Sequence, residues 1–416
     1  MSLAPALHPR HRVDIEPAAL ARALARCARP PRGAADSLEA LVCPRGEVIA
    51  TLSVRSAFDL LLAALALPPR SEVILSGWTI PDMARIVRAH GHVPVPIDCD
   101  EATLAPAPEA LAAAVTPATR VAVVAQLFGA SLDLAPFARV CRAHDVTLVD
   151  DDAQGFTGPR RLAESPDADV VFHSFGSIKT ATALGGGLVR VRDGALRERM
   201  RGLMRAWPTQ PAPRYARKVA TYLGLAALRD PARYARFARA LDATGGSLDG
   251  AIMGATRGFP ADDEGALLRA IRWRPCAALC ATLHDALAGF DGARVARRRD
   301  AGERLLAALG GDVTVLGRAL PERTHWLFAV LVEEADALVT TLRRAGFDGA
   351  RGTSSIAAIP APPERPHARP MACEGWAERV VFLPAYPEVP EADRDRMAEV
   401  VRAHGAKWGV VNPRAQ

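Results

Sequence analysis

The chain has 416 residues, half of them apolar and 24% charged, which suits one large globular domain with a smaller companion and excludes a disordered or fibrous protein. A net charge of +6 with aromatics at only 5% supplies positive charge without base-stacking residues, so an anionic small molecule is a better expected partner than nucleic acid. No apolar run approaches the roughly 18 residues of a membrane span, the amino terminus lacks the charged-then-apolar order of a secretory signal, and seven scattered cysteines suit reduced thiols, so a cytoplasmic location without a transmembrane segment is expected.

Residues 1–45 read as an N-terminal segment. From residue 46 onward, short apolar runs alternate with helical stretches: "EVIATLSV", "SEVILSG", "VPVPID", "RVAVVAQLFG", "VTLVDDDAQ", "DVVFHSFG" and "GGLVRVR" are strands, most of them followed by amphipathic helices. Runs that are apolar throughout, with no alternation, predict a mainly parallel seven-stranded sheet covered on both faces, in a large domain spanning 46–275. Within it, a basic and proline-interrupted stretch at about 197–260 reads as a solvated helical insertion, with a lid or an anion-binding surface as the sharper alternative. Residues 276–416 alternate helix and strand and predict a smaller C-terminal α+β domain. Cys276 and Cys280 lie four apart on a predicted helix without accompanying ligands, which makes them packing residues and leaves no metal site.

Positive charge is carried almost entirely by arginine, the exceptions being Lys179, Lys218 and Lys407. Arginine stays protonated and is a poor nucleophile, whereas a lysine amine can be tuned to attack a carbonyl, so Lys179 in "SFGSIKTATALGGG" is a candidate for covalent chemistry. One predicted strand earlier, "LVDDDAQGF" ends a buried run in three carboxylates, including Asp151. In sheets of this kind ligands gather at the carboxyl ends of strands. An amine and a carboxylate placed there on neighbouring strands can grip the two ends of a pyridoxal phosphate ring, one meeting the aldehyde and the other the ring nitrogen. "LSVRSAFDLLL" adds Arg55 and Ser56 at a strand-to-helix turn suited to a phosphate, and Ser174 offers another donor.

Taken with "SEVILSGWTIPD", "HGHVPVPIDCD" and "IRWRPCAALCATL", these segments resemble the DegT/DnrJ/EryC1/StrS family of sugar aminotransferases, over about residues 47–404 apart from the insertion. The resemblance implies a fold type I pyridoxal-phosphate enzyme and a homodimer with shared active sites. It places Lys179 as the catalytic amine that binds the cofactor, Asp151 on the pyridine nitrogen, and Gln154 against the ring. It also places Ser56 and Ser174 on the phosphate, and Trp78 or Ile80 at the position stacked on the ring, of which only Trp78 offers an aromatic face. Arg55 and Arg272 depart from the family's pattern: Arg55 is expected to bind the cofactor phosphate or to point at an anionic substrate, and Arg272 to reach a phosphate across the subunit interface. The implied reaction moves an amino group from glutamate or glutamine to a keto-sugar or cyclitol ketone; an elimination or decarboxylation on the same fold, and a binding protein that kept the fold, are the rival readings.

Overall fold

The computed structural model describes residues 4–159, 165–256, 259, 263–352 and 356–408. Helices α1 (Pro17–Ala28) and α2 (Ala34–Val42) lead into β1 (Val48–Thr51), α3 (Val54–Leu65), β2 (Glu72–Ser76), β3 (Trp78–Thr79), α4 (Pro81–Ala89) and β4 (Val93–Ile97). The chain continues through α5 (Pro108–Ala114), β5 (Thr119–Ala125), α6 (Ala135–Ala143), β6 (Thr147–Asp151), β7 (Val170–Ser174), β8 (Gly187–Val191) and α7 (Gly194–Arg205). The apolar runs become strands because helices cover both of their faces, and seven of them join in the order β1-β8-β7-β6-β5-β2-β4. Strands β4, β2, β5, β6 and β7 are parallel, while β8 and β1 finish one edge antiparallel, giving the expected α/β sheet. One face packs on α3, α4 and α7 through residues such as Phe58, Phe172 and Met200; the other carries two clusters, one around Phe137 and Leu148 and one around Leu188 and Leu279.

The basic stretch forms α8 (Ala212–Leu225), α9 (Pro231–Ala243) and α10 (Leu248–Thr256), followed by α11 (Glu264–Ile271) and α12 (Ala277–Ala288); residues 257, 258 and 260 lie outside the described residues. It is not a solvated arm. Tyr215, Val219 and Tyr222, spaced four and three apart on α8, are buried in the same cluster as α1 and α12. Helix α7, where the insertion was expected to start, belongs to the main sheet's core through Leu196 and Met200.

The last part of the chain runs α13 (Gly292–Leu309), β9 (Thr314–Val315), β10 (Phe328–Leu331), α14 (Ala335–Ala345), β11 (Ala357–Ala358), α15 (Met371–Arg379), β12 (Val380–Leu383) and α16 (Glu391–Trp408). An antiparallel sheet β12-β10-β9 carries α13, α14 and α16 around Phe328, Leu338 and Met397. A two-stranded ribbon, β11 with β3, ties this unit to the main sheet.

The N-terminal segment has a definite place. Arg10 forks onto the fully buried Asp348 at 2.7 and 3.0 Å and reaches Asp249 of α10 at 2.6 Å. His8 meets Asp393 at 2.9 Å and Asp14 meets Arg294 at 2.5 Å. These pairs lash residues 8–14 across α10, α13 and α16, with His11 between them.

Candidate active site

A cavity of about 690 Å³ opens at the carboxyl ends of β6 and β7. Asp151 is the last residue of β6 and Ser174 the last of β7, and both line it together with Gln154, Lys179 and Arg55. Five residues expected from sequence are thereby brought to one space.

Lys179 projects from a loop fixed at both ends. The Phe175 N–H donates to Gly186 O, the Gly185 N–H to Phe175 O, and the Thr182 hydroxyl to Gly176 O. The lysine Nζ sits 4.0 Å from the centre of the Trp326 ring, whose Nε1–H donates to Ile178 O. What surface the side chain keeps is turned toward the cavity, and burial pushes the amine down to about 7, against the pull of Asp151. Asp151 is 7% exposed, and burial raises its carboxyl to about 6 although Lys179 pulls the other way. Its Oδ1 accepts the Ala153 N–H at 3.3 Å, and no cation lies within ion-pairing distance among the described residues. A buried carboxylate without a cationic partner, facing an amine poised near neutrality, fits a ring with a protonated nitrogen at one end and an aldehyde at the other.

Gln154 turns its Oε1 onto the Phe128 N–H at 2.9 Å, which fixes its side chain at the cavity wall. Arg55 donates to Asp82 Oδ2 at 2.5 Å and lies 5.5 Å from the centre of the Phe259 ring. The first turn of α3 reaches the cavity because β8 carries Gly187: a Cβ there would sit 2.8 Å from Ser53 C and 2.9 Å from Val54 N. Only a glycine lets the sheet edge come so close to that helix start.

Three expected residues go elsewhere. Ser56 is fully buried, and its hydroxyl donates to Ile271 O; at this turn Ser53, which caps α3, lines the cavity instead. Trp78, 2% exposed, packs edge-on against Trp376 at 5.8 Å between centroids. The next two residues, Thr79 and Ile80, face the cavity instead, so the aromatic stacking position expected of Trp78 is corrected to a core one. Arg272 does not line the cavity: it forks onto the fully buried Asp59 at 2.9 Å through two nitrogens, a carboxylate that also meets His90 at 2.8 Å. Removing half of this neutralisation has a stability cost. Arg272→Ala should lower unfolding stability by about 2 kcal/mol, read by urea titration; an unchanged midpoint would show Asp59 to be satisfied by His90 alone.

Arg351 donates to the carbonyls of Val380 and Ala377 and pairs with Asp336, so it braces the end of α15. His173 is fully buried beside Asp152 and Phe156 as a packed residue. Other cavity residues lie outside the sequence expectations, His11 and Lys218 among them. His11, held by the N-terminal lashing, presents a buried Nε2 without a hydrogen-bond partner among the described residues, and burial pushes its ring down to about 4. Lys218 comes from α8, and burial, then the nearby Arg214, pushes it down to about 8.

Residues 38–225 match the model of the DegT/DnrJ/EryC1/StrS aminotransferase family. The fold is shared by an aminotransferase from Psychrobacter cryohalolentis, with a TM-score of 0.69, 17% identity, and 96% of this chain and 100% of that one covered. It is likewise shared by an aminotransferase from Streptoalloteichus hindustanus, with a TM-score of 0.68, 20% identity, and coverage of 96% and 99%. A sugar aminotransferase from Micromonospora echinospora gives a TM-score of 0.65 at 21% identity, with 95% and 100% covered.

Proposed function

Through residues 38–225 the chain belongs to the DegT/DnrJ/EryC1/StrS aminotransferases, which use pyridoxal phosphate, and from that premise we propose that it carries an amino group from glutamate or glutamine to a keto-sugar or cyclitol ketone. The observation that carries this reading is the pairing of Lys179, pushed down to about 7, with the buried Asp151 across one cavity. When bound, the cofactor supplies an electron sink for the bond broken at the substrate carbon.

The chain's own residues supply the rest. Lys179 holds the cofactor and, once released, moves a proton at the substrate carbon, for which an amine near neutrality is well matched. Asp151 keeps the ring nitrogen protonated. Gln154 stands against the ring, and the first turn of α3 with Arg55 and Ser174 takes the phosphate, where free N–H groups and the helix dipole favour an anion. A homodimer with shared sites and a cytoplasmic location complete the proposal.

Incubation of the purified protein with glutamate, and separately with glutamine, should release the corresponding 2-oxo acid, 2-oxoglutarate or 2-oxoglutaramate, from at least one of them stoichiometrically with enzyme before any acceptor is added. A lyase would release none, and that result would overturn the amino-transfer reading while leaving the cofactor in place.

A further inference from the structure

The cavity has two unlike parts. Around the carboxyl ends of β6 and β7 it presents an amine, a carboxylate, an amide and hydroxyls. Elsewhere its lining is hydrocarbon: Val13 of the N-terminal segment, Leu225 at the end of α8, Leu228 in the turn that follows, Phe237 of α9 and Ile252 of α10. Each of the five is half-buried, so carbon surface is left facing the space instead of being packed away. Phe237 belongs to none of the apolar clusters formed by the described residues, so filling a core does not account for it. The polar residues in this part are engaged within the protein. The Tyr234 hydroxyl donates to Asp348, Arg10 forks onto the same carboxylate, and Arg229 donates to the carbonyls of Val13 and Ile15. With those groups engaged, the wall offers little to a hydroxyl or a charge. Arg214 and Leu225 both line the cavity from α8, eleven residues apart, which is about 16 Å at the rise of a helix. The space therefore extends well past a ring gripped by Asp151 and Lys179. Water against carbon is unfavourable, and a ligand that covers such a wall gains affinity with the area it buries.

We propose that this chamber receives an apolar substituent of the amino acceptor: the keto carbon lies near Lys179, while a short alkyl chain or an aromatic ring of the same molecule lies against Leu228, Phe237 and Ile252. This rests on the amino-transfer reading and adds to it that the ketone is amphipathic, a glycoside or similar conjugate with a hydrocarbon arm. A ketone carrying hydroxyls alone would leave the carbon wall wet and its own hydroxyls there without partners.

The test titrates the protein, loaded with pyridoxal phosphate, calorimetrically with methyl, butyl and hexyl β-glucoside, which differ only in the length of the arm. Affinity should rise about threefold with each added methylene, and the heat capacity change of binding should grow more negative along the series. Phe237→Asn should lose about tenfold or more on the hexyl glycoside and far less on the methyl one, while Phe237→Leu should keep most of the gain. Ala251→Leu, which fills the chamber from α10, should likewise penalise the hexyl glycoside most. The cofactor's visible absorbance checks that each variant is folded and loaded. Affinity that does not depend on chain length, as when a second copy of the chain covers the wall, would overturn the assignment. So would a gain with chain length that persists unchanged in both Phe237→Asn and Ala251→Leu. Leucine, offered alone as amino donor, separates the two substrates: release of its 2-oxo acid by the parent but not by Ala251→Leu would give the chamber to the donor and overturn its assignment to the acceptor. If the parent protein takes up no cofactor at all, the amino-transfer reading fails by itself, while the glycoside series in parent and variants still decides whether the chamber takes an apolar arm.

Discussion

Lys179→Arg should fold, bind pyridoxal phosphate without the visible absorbance of a covalent link, and lose turnover by at least about a thousandfold. The substitution is informative because arginine keeps a positive charge over the Trp326 face, where the lysine Nζ now lies 4.0 Å from the ring centre. It removes only the capacity to become a neutral nucleophile. The lysine's pKa gives the pH dependence its sign. An amine pushed down to about 7 is protonated and inert toward an aldehyde below that pH, and free to attack above it. Covalent capture of the cofactor by the parent protein, followed by stopped-flow absorbance, should accelerate between about pH 6 and pH 8 and level off beyond. A rate that keeps climbing to pH 10 would mean an ordinary solvated lysine, and the proposed role would not survive it.

The residues legible in the sequence share a physical reason: each stands at the end of a strand or the start of a helix. Apolar runs fixed β6 and β7, so Asp151 and Ser174 had to emerge at their carboxyl ends, and Lys179 follows one short loop later. Errors arose where chemistry was weighed without the direction of the side chain. Trp78 offered the better stacking surface, but it lies in a two-residue strand pairing with β11 and turns into the core shared with Trp376. Ser56 stands three residues after the N-cap Ser53 and points inward to Ile271. Arg272 also has a partner within the chain, and that partner is visible in the sequence. Asp59 interrupts the apolar run "FDLLL" of α3, and a carboxylate within such a run calls for a buried cation. The insertion was legible too, in the Tyr215, Val219 and Tyr222 stripe, had its periodicity been set against its charge. No comparable signal marks His11. Its place follows from ion pairs between residues more than two hundred positions apart, which no local pattern reports.

Asp151→Asn should separate the two tasks of the site. The amide keeps the size of the side chain but cannot hold the ring nitrogen protonated, so covalent capture by Lys179 should persist while turnover falls by about a hundredfold to a thousandfold. A stability measurement checks the same assignment without turnover. In the cofactor-free protein burial lifts Asp151 to about 6, well above its value in an unfolded chain. A carboxyl raised in this way favours the folded state while protonated and loses that contribution as pH rises from about 4 through 6. At pH 7 cofactor-free Asp151→Asn should therefore be more stable than the parent, by up to about 3 kcal/mol, and the difference should vanish near pH 4. Adding pyridoxal phosphate should reverse the order, because the parent's carboxylate then gains the cationic partner that it lacks and the asparagine does not. If cofactor stabilised both proteins equally at pH 7, Asp151 would not face the ring nitrogen, and the orientation of the whole site would have to be turned around.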